Sequence, residues 1–344
     1  MPSHSISTAG FHPLAPFARK WRLARRVYRK EGASTLLAEM LYHVGKPLLS
    51  VYESARWRWY QIRGQKSFQV LGHEISVLPK DSGISRELAL HKVHEPLATR
   101  LLQETLRPGM NVVDIGSNIG YYALLEARLI GPQGLVIAIE PMRENARQLI
   151  RNIETNGYRN ILVHEFAIAN RNGTADMNVS EKSNWHCLTA VPWPSKKRKV
   201  PVSTLDNLLK GLCLARVDLV RMDLEGYEVV AIEGMQWALE KYSPRLLVEL
   251  HPHIIGTQPI VEYLRFLNDL GYGVEWLIEQ ERDVALRWRF LKAERPTMND
   301  LMCDSRISGD PRAVTVLLTR DRADRHETRE ARRLMTAEGR SRTA

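Results

Sequence analysis

Cysteine is scarce in this chain of 344 residues: Cys187, Cys213 and Cys303 are widely spaced, odd in number and form no CxxC pair. That excludes a disulfide-stapled scaffold and a zinc ribbon, and it fits a reducing compartment, so a cytoplasmic location is expected. Long apolar runs are missing as well. The best candidate, between Leu36 and Val51, is broken by Glu39, His43, Lys46 and Pro47, so no membrane span is expected. The first 16 residues hold no Lys or Arg but include Pro2, Pro13 and Pro16, which is not the charged-then-apolar order of a secretory leader. With 44% hydrophobic and 26% charged residues, the chain has the composition of a globular protein, long enough for one large domain or two ordinary ones.

The net charge of +10 is unevenly placed. Residues 1–66 hold 12 basic and 3 acidic side chains, residues 320–344 hold 8 Arg against 5 acidic groups, and the stretch between them is slightly acidic. Three parts follow: a basic extension with a disordered leader (1–66), a body (67–319) and an Arg-rich flexible tail (320–344). From Arg19 to Tyr60 basic residues interleave with aromatics on a helical pattern, divided at Gly45-Lys-Pro47. This suits an amphipathic helical extension, an anionic membrane surface (a membrane-peripheral location) or a nucleic-acid contact.

A short hairpin is expected at Phe68–Val70 and Glu74–Leu78, then helical spacing over 86–106. Apolar runs at Asn111–Asp114, Leu135–Glu140, Ile161–Phe166, Val217–Asp223 and Leu246–Leu250 alternate with helical or loop segments, the pattern of a parallel sheet wound on both faces. Runs at Val274–Ile278 and Ala313–Thr319 read as a hairpin edge that completes seven strands. The basic run Lys196-Lys-Arg-Lys199 reads as a solvated loop, and Ser203-Thr-Leu-Asp206 as a helix N-cap with its carboxylate three residues on.

Val112-Val-Asp114-Ile-Gly116-Ser-Asn118-Ile-Gly120-Tyr-Tyr122 carries the most information. A strand ends at Asp114, a glycine-bearing turn follows, and a helix opens near Tyr121, leaving backbone N–H groups for a ligand. A dinucleotide site would want glycine at 118, and Asn118 weakens that alternative. The pattern suits a cofactor with an amino-acid head such as S-adenosylmethionine. Glu140, 20 residues beyond Gly120, is placed to accept hydrogen bonds from ribose hydroxyls. Glu165-Phe166-Ala167 would border an adenine. Asp223 and Glu225 stand where open α/β sheets bind ligands, suited to a cofactor ammonium or a substrate proton, and also to a helix dipole. Glu249 and His251 share a strand face; His251 beside a carboxylate would serve as general base, and Asp223, Glu249 and His251 together suit a divalent ion, although no metal is expected.

From about residue 68 to 280 the sequence resembles the FkbM-type S-adenosylmethionine-dependent methyltransferases. The resemblance rests on Val113-Asp-Ile-Gly-Ser-Asn-Ile-Gly-Tyr-Tyr122, Glu140-Pro141, Asn152 and Asn156, Ser203–Leu208, Asp218–Glu228, Glu233-Gly-Met235 and Val248-Glu-Leu-His251. It implies a class I methyltransferase fold, Rossmann-like, with a seven-stranded mostly parallel sheet, and methyl transfer to an oxygen of a sugar, polyketide or other small metabolite. Carried over, Asp114, Gly116, Asn118 and Gly120 form the cofactor loop, Glu140 holds the ribose, and Asp223 and Glu225 sit at the reaction mouth. Ser117 stands where Ala is common. The basic ends lie outside the resemblance. An RNA-directed methyltransferase using residues 1–66, and an NAD-dependent oxidoreductase, are the alternatives.

Overall fold

The computed structural model describes residues 45–189, 195–279, 293–308 and 313–320. The leader, the basic stretch up to residue 44 and the tail beyond 320 lie outside them. The described residues from 57 to 320 belong to one compact unit, and residues 45–56 belong to another. Residues 45–62 are helical and are labelled α1. Among the described residues no helix is long and apolar enough to cross a membrane.

Strands β1 (Ser67–Val70) and β2 (His73–Ser76) form the expected hairpin, turned by Leu71 and Gly72 at positive φ. The single helical pattern expected over 86–106 is two helices, α2 (Ile84–His91) and α3 (Pro96–Thr105). Lys92 (φ 63°) and Glu95 (φ 42°) adopt left-handed conformations between them, and Pro96 opens α3.

The body then alternates: β3 (Asn111–Ile115), α4 (Tyr121–Ile130), β4 (Leu135–Ile139), α5 (Arg143–Thr155), β5 (Ile161–His164), β6 (Ala167–Ile168), β7 (Gly173–Val179), β8 (Lys196–Ser203) and α6 (Leu205–Leu212). There follow β9 (Leu219–Met222), α7 (Glu228–Glu233), α8 (Gln236–Tyr242), β10 (Arg245–Leu250), α9 (Pro252–Ile255), α10 (Thr257–Asp269) and β11 (Tyr272–Glu279). The last elements are β12 (Ala293–Glu294), α11 (Met298–Met302), α12 (Ser305–Ser308) and β13 (Val314–Arg320).

The main sheet runs β12-β11-β13-β10-β9-β3-β4-β5. Strands β10, β9, β3, β4 and β5 are parallel, and β13, β11 and β12 join antiparallel. The expected antiparallel edge is there, but the sheet has eight strands because two-residue β12 adds itself beside β11. Both faces are apolar: Val112, Val136, Leu219 and Leu247 pack on one side, Val113, Ile137, Val220 and Leu246 on the other. Such a sheet gains about 1.5–3 kcal/mol for each large apolar side chain it buries.

Two expectations change. The strand expected over Ile161–Phe166 ends at His164, and Ala167–Ile168 starts a second, three-stranded sheet ordered β6-β8-β7. Lys196–Lys199 is not a loop but the exposed start of β8, paired antiparallel with β7. Alternate exposure is affordable there because only Val200 and Val202 of the strand are buried.

Candidate active site

In the parallel part of the main sheet, the strand order reverses between β3 and β9: β4 follows on one side of β3, while β9 and β10 lie on the other. A crevice of about 770 Å³, open to solvent, lies beyond the carboxyl ends of these strands, where open α/β sheets bind ligands. Gly116, Asn118, Glu140, Ala167, Asp223 and Glu225 line it.

The loop after β3 is held tightly. The N–H groups of Gly116 and Ser117 both donate to the Ile139 carbonyl (3.0 and 3.1 Å), and the Ser117 hydroxyl donates to the Asp114 carbonyl (2.8 Å). Gly116 has φ 86°, and a Cβ there would lie 2.2 Å from the Asp223 carbonyl oxygen, so no larger residue fits. Asn118 also takes a left-handed conformation (φ 49°), and its Oδ1 accepts the Ile119 N–H at 2.7 Å. Asparagine thus meets the backbone demand that glycine meets in a dinucleotide turn. Gly120 (φ 97°) precedes α4, where a Cβ would strike Leu149.

Glu140 joins this loop to the next strand. Its Oε2 accepts the Asn118 N–H (2.9 Å), and its Oε1 accepts the Met142 N–H (2.9 Å) and the Asn145 side chain (3.3 Å). Burial raises its carboxyl from 4.5 to about 7, against the lowering effect of those hydrogen bonds. Phe166 stands with Ala167 on the same wall. Asp114 and Gly120 are set back from the crevice. Asp114 is fully buried, and its Oδ1 accepts a hydrogen bond from Arg221 Nη1 at 3.0 Å.

At the opposite wall the chain turns sharply through Glu225 (φ 49°) and Gly226 (φ 95°). Glu228, fully buried, shapes this turn: its Oε1 accepts the Leu224 and Gly226 N–H groups, each at 3.1 Å, and meets His251 Nδ1 at 2.9 Å. His251 Nε2 lies 3.3 Å from Glu225 and 4.0 Å from Glu249. Burial alone would lower the imidazole's pKa, but Glu228 and Glu225, with Glu249, raise it well above its ordinary value. Held as imidazolium between two carboxylates, His251 is poorly suited to accept a proton and well suited to orient Glu225. Burial raises the Glu225 carboxyl, with His251 opposing. Asp223, Glu249 and His251 each bring a donor atom within 4.8 Å of the others, but a divalent ion would have to displace the proton that the carboxylates hold on His251.

Several residues at the site had not been singled out in the sequence. Arg221 bridges Asp114 and Asp223; its signal was a charge inside a strand buried on both faces. His94 lines the crevice between Glu87 (3.0 Å) and Glu95 (3.7 Å), and burial's lowering effect is outweighed by these carboxylates, leaving its pKa raised to about 9. Ser183 is fixed over the loop by Asp81, its N–H and hydroxyl each donating at 2.8 Å.

Against known proteins, residues 114–274 match the profile of the Methyltransferase FkbM domain. Over this segment the chain is similar to the FkbM methyltransferases. Protein-L-isoaspartate O-methyltransferase 1 of Archaeoglobus fulgidus is 40% identical over 58 residues, 17% of this chain and 27% of that protein. Protein-L-isoaspartate O-methyltransferase 2 of Arabidopsis thaliana is 26% identical over 116 residues, 33% of this chain and 35% of that one. The chain therefore spans only a quarter to a third of the length of these curated relatives. Among solved structures, the methyltransferase FkbM from Methylobacillus flagellatus KT aligns with a TM-score of 0.37 and 14% identity over 67% of this chain and 52% of that chain. An rRNA methylase from Streptococcus thermophilus aligns with a TM-score of 0.39 and 12% identity, over 67% and 98%.

Proposed function

We propose that the protein is an S-adenosylmethionine-dependent O-methyltransferase acting on a hydroxyl of a sugar, glycan, glycolipid or other small metabolite. The observation that carries this reading is the pairing, across one crevice, of the FkbM-type loop with the Asp223–Glu225 carboxylates.

The residues present fit the cofactor. Gly116 lets the loop pack against the Asp223 backbone, Glu140 is placed for ribose hydroxyls, and Phe166 and Ala167 form an apolar wall for adenine. Asp223 offers a buried Oδ1 that has no hydrogen-bond partner among the described residues, the acceptor that an ammonium group requires. When bound, S-adenosylmethionine supplies a sulfonium methyl group that is already activated. The protein's tasks are then to orient the acceptor oxygen, take its proton and exclude water. Glu225, raised by burial and held by the His251 imidazolium, is the proton acceptor; removing such a group costs about 10²–10⁴ in rate. Asp114 and Gly120 act from behind the loop, fixing its shape.

Residues 67–319 are the catalytic body in this reading, 1–66 a docking extension and 320–344 a tail. The charge of 1–66, together with exposed Leu48, Val51 and Tyr52 on α1, supports docking on an anionic membrane surface. Retention on RNA but not on anionic vesicles, lost on deleting 1–66, would favour the RNA-directed alternative instead.

The test of the core reading is calorimetry with S-adenosylhomocysteine: saturable heat is expected, and its absence on folded protein overturns the reading. Incubation with labelled-methyl cofactor and a panel of sugars and glycolipids tests the acceptor. Glu225→Gln should then lose transfer with S-adenosylhomocysteine affinity unchanged within about twofold, and full transfer would remove Glu225 from its role.

A further inference from the structure

We propose that Arg221 is a positioning residue for the cofactor's amino-acid head: it presets Asp223, with Oδ1 bare, and ties it to the root of the cofactor loop. This rests on the function proposed above.

Residues 114 and 221 are register partners on adjacent parallel strands, and 223 follows 221 by two, so all three side chains project from one face of the sheet. Arg221 is only 6% exposed. Its Nη1 donates to Asp114 Oδ1 at 3.0 Å, and its Nη2 donates to Asp223 Oδ2 at 3.3 Å. One guanidinium therefore holds one oxygen of each carboxylate, from the strand before the loop and from the residue that follows the adjacent strand. The fork is itself located. Its central carbon lies 3.9 Å from the Tyr122 ring centroid, and the Tyr122 hydroxyl donates to Glu95 at 2.7 Å.

Holding Oδ2 leaves Asp223 little freedom to rotate, and the oxygen so presented is Oδ1, buried and without a partner among the described residues. Arg221 lines both the main crevice and a smaller cavity shared with Glu95, Glu249 and Thr315. An ammonium entering the crevice would meet a carboxylate that needs no reorganisation. Two carboxylates around one guanidinium leave net negative charge, so the nearby cation does not repel it. Lysine at 221 would keep the charge but lose the planar fork, since a single ammonium cannot reproduce two fixed hydrogen-bond directions.

The experiment is calorimetry on the full chain with two probes, S-adenosylhomocysteine, which has the amino-acid head, and 5′-methylthioadenosine, which lacks it. Arg221→Lys is expected to weaken the first about tenfold and the second less than twofold. Asp223→Asn should show the same split, and Arg221→Lys added to Asp223→Asn should cost no further affinity. Arg221→Gln, checked for folding by melting, should show a larger split than lysine. Equal losses for both probes, or additive losses in the double variant, would reduce Arg221 to a structural residue and overturn the proposal. Absence of wild-type binding to S-adenosylhomocysteine would instead overturn the function on which it rests.

Discussion

Raising the pH from 6 to 8 is expected to tighten S-adenosylhomocysteine binding about tenfold, through Glu140 alone. Burial moves this carboxyl from 4.5 to about 7. Only its ionised form can accept hydrogen bonds from ribose hydroxyls with both oxygens while still holding the Asn118 and Met142 N–H groups. With a value near 7, about one molecule in eleven is ionised at pH 6 and about ten in eleven at pH 8, which gives the tenfold ratio. Binding at pH 6 should release about 0.9 proton per ligand, falling to about 0.1 at pH 8. The sign for folding is opposite. Because the folded pKa lies above the unfolded one, the folded protein binds the proton more tightly, and stability without ligand falls as pH rises through 4.5 to 7, by up to about 3 kcal/mol. His94, raised to about 9, stays charged across this interval and adds little. The assay is titration calorimetry at pH 6, 7 and 8 in two buffers of different ionisation enthalpy. Glu140→Gln should weaken binding and flatten the profile. Wild-type affinity constant within twofold from pH 6 to 8, or an unchanged slope in Glu140→Gln, would refute the reasoning.

Two further outcomes follow from packing. Gly116→Ala places a Cβ against the Asp223 carbonyl at positive φ, so the loop must move, and S-adenosylhomocysteine affinity should fall by more than about tenfold with a lowered Tm; unchanged affinity would show that the loop is not where the ligand binds. Glu126 is fully buried on α4 with both carboxyl oxygens unpartnered among the described residues, and burial, then Asp114, raises its pKa well above the ordinary value. Glu126→Leu should remove an unsatisfied group and stabilise the fold by about 1–3 kcal/mol, read as a higher Tm; a lower Tm would mean that the carboxyl is serving a partner.

The strand–loop–helix unit was legible because its demands are local. Gly116 and Gly120 mark positive φ, and Asn118 is of the short polar kind that tolerates that conformation while accepting a neighbouring N–H. The partners that decide chemistry were not local. Nothing near Asp114 in sequence announces Arg221, which is 107 residues away. Asp206, expected to cap its own helix, instead accepts the Trp237 and Ala238 N–H groups (3.0 and 2.9 Å) at the start of α8, while Thr204 caps α6 through the Asn207 N–H. His251, read as a base beside one carboxylate, turned out to lie between two, because Glu228 reaches it from the turn that Glu225 and Gly226 make. The eighth strand escaped notice because two residues carry no period.

Ile84 and His94 give the crevice part of its wall, yet both precede the segment that matches the FkbM domain. A chimera built by transplanting only residues 114–274 would carry the loop, Glu140 and the Asp223–Glu225 turn into its host while leaving that wall behind. Homologues that agree across the matched segment but diverge over residues 79–98 should therefore share a methyl donor and part company over which molecules they admit.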